Sequence, residues 1–87
     1  MSVETKTEIR GGEPVLSETR VPVLDIADVY LASDEDAHAT AATFRGITLS
    51  DVHEALAYYY AQPKEMRHWI AERNLPDELA PPSQPLP

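Results

Sequence analysis

The residues best suited to chemistry are three histidines and fifteen carboxylates, but their spacing does not favour catalysis. His53-Glu54 begins like the zinc-protease signature, which needs a second histidine four residues after the first, and position 57 is alanine. His38 and His68 lie on other predicted helices, without the spacing of metal ligands. The chain also has no cysteine that could act as a nucleophile or bind zinc. The sequence therefore predicts no enzyme, no metal site and no cofactor.

The chain is strongly acidic and contains few lysines. Fifteen acidic and seven basic residues give a net charge of -8, and only two of the basic residues are lysine. Scattered acid with little lysine resembles proteins of halophilic archaea, because salt near 1 M shortens the Debye length to about 3 Å and screens self-repulsion. The alternative is an ordinary acidic domain. The basic footprint that usually marks a DNA-binding protein is absent.

A chain of 87 residues predicts one domain with a thin margin of stability, since a domain this small buries only about 60% of its unfolded surface. A homodimer or docking on a partner is therefore expected. No apolar run approaches the roughly 20 residues that a membrane-spanning helix needs, and the first residues do not form a signal peptide. These observations predict a cytoplasmic protein that does not contact membranes.

Apolar residues recur with helical spacing in four segments, each with a buried stripe. Ser33 is a good N-cap for the second helix, whose first turn is acidic, and Gly46 suits its C-terminal end. Thr48 and Asp51 resemble a capping box at the start of the third helix. The predicted helices are residues 24–32, 34–44, 49–61 and 64–74.

Both ends of the chain lie outside this helical pattern. Residues 1–11 are predicted to form an edge strand or a frayed arm, and residues 15–23 a small β-hairpin that turns at Ser17-Glu18. Residues 76–87 contain five of the eight prolines and are predicted to be a disordered, proline-rich tail.

The second and third helices have the lengths of a helix-turn-helix, so the predicted fold is mainly α. It has a trihelical, homeodomain-like or winged core, an N-terminal β-hairpin and a fourth, C-terminal helix. In a helix-turn-helix, the N-terminal residues of the second helix of the pair reach base edges. The carboxylates of Asp51 and Glu54 would repel phosphate, so a trihelical core that binds only a protein partner is the alternative. The candidate DNA-binding residues are Arg20, Arg45, Thr48, Ser50 and His53.

Arg20 has two interpretations. It either anchors the hairpin to an acid of the helical core, which we favour, or reaches a phosphate. On the fourth helix, Trp69 and Ile70 are predicted to lie at an interface, because nothing C-terminal to them could cover them and such residues are enriched in interfaces.

Two sequence blocks of this chain match motifs of a known family. Their matching residues are Gly12, Pro14, Val15, Thr19, Arg20, Pro22 and Val23, then Ile47, Thr48, Asp51, Val52, Ala55, Leu56, Tyr58 and Tyr59. Together the blocks resemble the prokaryotic domain-of-unknown-function family 433 (DUF433), small helix-turn-helix proteins that include VapB-like antitoxins. Ser17 and Glu18 depart from the family's basic residue and glycine in the hairpin turn.

The resemblance implies a domain over residues 12–62 followed by the C-terminal helix, residues 63–75. It also implies the antitoxin of a type II toxin–antitoxin pair. Such a protein dimerises, binds operator DNA in its own promoter and masks a PIN-like nuclease toxin with the segment after Tyr60. A stand-alone transcription regulator and a structural adaptor are the alternatives. Acidic and apolar residues of that segment suit a cationic nuclease cleft, and the candidate partner-binding residues are Trp69, Ile70, Glu72, Leu75 and Leu79.

Overall fold

Four α-helices make up half of the structure, a computed structural model that describes residues 3–82. Two short strands and a 3-10 helix, Arg10–Gly12, precede them. A second 3-10 helix, Asp77–Leu79, follows them and is called the C-terminal turn below. The strands are β1 (Val3–Glu4) and β2 (Val15–Leu16), and the helices are α1 (Val23–Ala32), α2 (Ala37–Thr43), α3 (Leu49–Ala61) and α4 (Pro63–Glu72).

The core lies where α1 packs against α3, with α2 and α4 also in contact with α3. Leu24 and Ile26 of α1 are fully buried there, together with Met66 of α4. The stripe predicted on α3 is confirmed, since Val52, Ala55, Leu56 and Tyr59 are all buried. A mainly α fold with four helices and an N-terminal β-hairpin is therefore confirmed.

The β-hairpin uses a different pair of strands from the one predicted. Strand β1 pairs antiparallel with β2, placing Val3 opposite Leu16. The predicted return strand, residues 19–23, contributes only an isolated bridge between Val15 and Pro22. The physical reason is that Pro22 is already the N-cap of α1, so the chain leaves the sheet before a second strand forms.

Helix α2 starts later than predicted because Ser33 belongs to the end of α1. The Ser33 N–H donates to the Val29 carbonyl at 2.9 Å, and Asp34 and Glu35 then take left-handed backbone conformations. Asp36 is the N-cap instead, accepting a hydrogen bond from the Ala39 N–H at 3.0 Å. The predicted Ser33 cap and acidic first turn are therefore wrong.

The boundaries of α3 agree with the prediction, and its capping box is present. The Thr48 hydroxyl accepts from the Asp51 N–H at 3.1 Å, and the Asp51 carboxylate accepts from the Thr48 N–H at 2.9 Å. Helix α4 begins at Pro63, since proline lacks the N–H that the first helical position leaves unused. It ends at Glu72, two residues before the predicted end.

The segment after Pro76 packs on the domain as far as the structure describes it. Leu79 is buried, and its carbonyl accepts a hydrogen bond from the Tyr59 hydroxyl of α3. The C-terminal turn contacts α1 and α4. The prediction of a disordered tail therefore does not hold for residues 76–82, because a buried leucine and a tyrosine hydroxyl hold this segment in place. Residues 83–87 of the predicted tail lie outside the described residues.

None of the helices within residues 3–82 combines the length and the apolar character that a bilayer span requires.

Candidate functional site

The N-terminal end of α3 presents polar side chains to solvent. Thr48, Ser50 and His53 are all exposed, as a surface for nucleic-acid contacts requires. The Asp51 side chain is different: its residue is only 5% exposed and its carboxylate completes the capping box. Asp51, one of the two acids expected to repel phosphate, therefore stabilises the helix terminus instead.

The turn at residues 17–20 lies beside the turn between α2 and α3. A Cβ atom placed on Gly46 would lie 3.6 Å from Thr19 Cγ2. Arg20 follows Thr19 and Arg45 precedes Gly46, and both arginines are exposed. The structure therefore brings two separate cationic positions to the region where α3 begins.

The favoured interpretation of Arg20, an anchor to an acid of the core, does not match its surroundings. Arg20 is exposed and has a left-handed backbone with φ of 59°. Among residues 3–82, the ion pairs involve other cations. Its guanidinium is thus accessible to a ligand.

Arg73, at the end of α4, makes the anchoring contacts instead. It donates to Glu13 at 2.7 Å and pairs with Asp25 of α1 at 2.9 Å. The Glu13 side chain is only 3% exposed and also pairs with Arg10 at 3.4 Å. Burial lowers the pKa of Arg73, but its bonds to Asp25 and Glu13 raise it by more, so the guanidinium stays charged. This network fixes α4 to the segment before β2 and to α1.

Most of the predicted partner-binding residues are part of the domain's own packing. Ile70 is 3% exposed and Leu79 is 6% exposed. Trp69 and Leu75 are partly buried against the core, and Glu72 is exposed. The premise that nothing covers α4 fails, because the C-terminal turn packs against that helix.

The three consecutive tyrosines of α3 differ in their surroundings. The Tyr58 hydroxyl donates to Glu65 of α4 at 2.5 Å, and burial together with this carboxylate raises the pKa of Tyr58. Burial also raises the pKa of Tyr59 to about 12, with a smaller contribution from Tyr60. Tyr60 is 48% exposed, and its ring lies edge-on to the Tyr59 ring with 4.9 Å between the ring centroids. Tyr58 and Tyr59 therefore connect α3 to the C-terminal elements.

Within residues 3–82, no three histidine, aspartate or glutamate side chains are grouped so that they could hold a metal ion.

The model of the family DUF433, described as "Protein of unknown function", matches residues 3–59. The chain belongs to the DUF433 family. Searches of curated proteins and of solved structures found no match. The DUF433 match runs from β1 almost to the end of α3 and includes the five candidate DNA-binding residues. The candidate partner-binding residues of α4 and the C-terminal turn follow it.

Proposed function

We propose that this DUF433 protein is an antitoxin-type binding protein. Helices α2 and α3 act as a helix-turn-helix that binds operator DNA in its own promoter. A different surface binds and neutralises a protein toxin of the PIN-like nuclease class. The proposal draws on the resemblance of the two sequence blocks to antitoxins of this family and on the exposed end of α3.

The observation that carries the proposal is the exposed N-terminal end of α3, with Arg20 and Arg45 beside it. In a helix-turn-helix this end enters the major groove, where hydroxyl, imidazole and guanidinium groups contact bases and phosphates. Ser50 and His53 supply such groups on the helix. The capping box is compatible with this role, because it satisfies N–H groups at the helix end while Ser50 and His53 stay exposed.

The charges in this region predict binding that depends only weakly on salt. Arg20 and Arg45 are its two cations, and Glu18 is an exposed acid beside them. The logarithm of the binding constant falls with the logarithm of salt concentration at about 0.9 per phosphate contact, so two contacts give a slope near -2. Affinity must then come mainly from base contacts rather than from counterion release.

Fluorescence anisotropy with the protein's own upstream DNA tests this interface. The wild-type protein should bind that DNA more tightly than a scrambled duplex, and Arg45→Ala should reduce the salt slope from about -2 to about -1 by removing one phosphate contact. Arg67→Ala, which removes an arginine from α4, is the matched control and should leave affinity unchanged. Equal affinity for both duplexes, or none at any salt concentration, contradicts the proposal.

A stand-alone transcription regulator is the second candidate, because the exposed end of α3 favours DNA binding with or without a toxin. It predicts full operator affinity and repression by this protein alone. An antitoxin instead forms a stable complex with the product of a neighbouring gene.

A further inference from the structure

An open cleft lies between the C-terminal half of α1 and the C-terminal turn. Its volume is about 490 Å³, large enough to receive a side chain from another molecule. The Tyr59–Leu79 hydrogen bond fixes one wall, so the cleft is formed before any ligand arrives. The residues that line it are Asp28, Leu31, Ala32, Pro76, Glu78 and Leu79.

The lining is mainly apolar and includes an unusually exposed leucine. Leu31 is 37% exposed, and among residues 3–82 only Tyr60 is a more exposed large hydrophobic residue. Leu79 of the C-terminal turn and Pro76, the residue before that turn, belong to the same lining. An apolar side chain inserted here would remove Leu31 from water. Burial of apolar surface is the main favourable contribution in most protein association.

Carboxylates provide all the charge in this lining. Asp28 and Glu78 are both exposed, and none of the lysines, arginines and histidines of residues 3–82 lines the cleft. The acidic residues 34–36 follow α1 after its C-cap Ser33, and Asp77 precedes Glu78. The cleft therefore suits a ligand whose apolar group is flanked by positive charges.

Charge also discriminates between the available occupants. A second copy of the chain carries a net charge of -8, and residues 83–87 of this chain contain no basic residue. Neither complements a rim of carboxylates. The occupant that does is a basic segment of a different protein.

We propose that this cleft binds a segment of another protein in which a bulky apolar side chain is flanked by lysine or arginine. The inference rests on the proposed function in taking the partner to be a protein. The inference places the contact with the protein partner on α1 and the C-terminal turn rather than on the buried residues of α4. Leu31 supplies the apolar contact, and Asp28 and Glu78 pair with the flanking cations.

The direct test is an NMR titration of the full, ¹⁵N-labelled chain at low salt with two acetylated, amidated peptides, Gly-Lys-Leu-Arg-Gly and its acidic counterpart Gly-Glu-Leu-Glu-Gly. The cationic peptide should cause saturable shifts at Leu31, Ala32 and Leu79, and the acidic one should not. The double variant Asp28→Lys/Glu78→Lys should weaken cationic-peptide binding about tenfold, as expected for losing two exposed ion pairs.

The matched control is Glu8→Lys/Glu18→Lys, which changes the net charge equally but at exposed acids outside the cleft. It should retain most of the affinity. Equal binding of both peptides, equal loss in the two variants, or shifts confined to other surfaces overturns the inference. Nuclear Overhauser contacts from Leu86 to Leu31 in the free protein, or shifts that depend on protein concentration alone, assign the cleft to this chain's own end or to a second copy, and also overturn it.

The same variants separate this inference from the proposed function. If the wild-type protein binds the product of the neighbouring gene and Asp28→Lys/Glu78→Lys binds it equally well, the cleft is wrong and the protein partner stands. If the wild-type protein forms no such complex, the proposed toxin is wrong, and the peptide titration still decides whether the cleft binds basic segments.

Discussion

Arg73 connects parts of the chain that are far apart in sequence, so its loss should destabilise the whole domain. Removing it leaves the buried Glu13 carboxylate with only Arg10, at 3.4 Å. An unsatisfied buried polar group costs about 1–3 kcal/mol, and we expect Arg73→Ala to lower the free energy of unfolding by about that amount. Urea denaturation measures it. Arg67→Ala, a partly buried arginine of the same helix, should change stability by less than about 0.5 kcal/mol. Equal effects of the two substitutions would show that the network is unimportant.

Tyr59 is expected to make the free energy of unfolding fall at alkaline pH. Its pKa in the folded protein is about 12, whereas an unfolded tyrosine has a pKa of about 10. As pH rises above 10, the unfolded chain releases this proton first, so the folded state binds more protons and stability falls. The contribution is complete below pH 10 and is lost as pH rises through 12.

The comparison of the wild type with Tyr59→Phe isolates this effect. From about pH 9 to about pH 11, urea midpoints should fall further for the wild type than for Tyr59→Phe, because phenylalanine has no proton to release. Parallel declines would contradict the role assigned to the Tyr59 hydroxyl.

Contacts between residues close in sequence were predictable, and distant ones were not. The Thr48–Asp51 capping box is a local pattern in which two side chains three residues apart satisfy each other's N–H groups. The Arg73–Glu13 pair spans 60 residues, and nothing in the sequence around either residue indicates the other. Residue type alone also does not indicate whether a side chain is buried. Ile70 and Leu79 were predicted to bind a partner, but the structure places both in the core.

At the scale of elements, the C-terminal turn behaves as part of the domain. Leu79→Ala should therefore lower the free energy of unfolding by about 2 kcal/mol, near the low end for a buried leucine because the turn is free to relax into the space created. Pro82→Ala, at an exposed position, is the control and should have little effect. Urea denaturation distinguishes them, and a loss below about 0.5 kcal/mol for Leu79→Ala would indicate a segment that does not pack stably.

How well each element could be predicted depended on the residues that mark its start and its end. The limits of α3 were predictable because Thr48 begins it and Pro63 forces a new helix after it. The start of α2 was not, since Ser33 and Asp36 are both good N-caps and the choice depends on how α1 ends. The partner of β2 was also undetermined, because short strands carry little pairing information.

At the scale of the whole molecule, the candidate surfaces lie on different elements. The proposed DNA-binding end of α3 lies within the DUF433 match. The exposure of Ser50 and His53 could be predicted from helical spacing, whereas that of Arg20, which lies in a turn, could not. The cleft could not, since it exists only when the C-terminal turn returns to α1. A halophilic origin and a homodimer stay predictions from composition and size.

Neutralisation of a toxin is the central function proposed for this protein, and a titration of nuclease activity tests it most directly. RNA cleavage by the product of the neighbouring gene is followed while the full chain is added, with Asp28→Lys/Glu78→Lys and Glu8→Lys/Glu18→Lys as the paired variants. The account predicts that cleavage falls in proportion to the protein added and stops once toxin and antitoxin have formed their complex, with the cleft variant the weaker inhibitor. Cleavage that continues unchanged in the presence of excess wild-type protein, or a neighbouring product that cleaves no RNA, would contradict it.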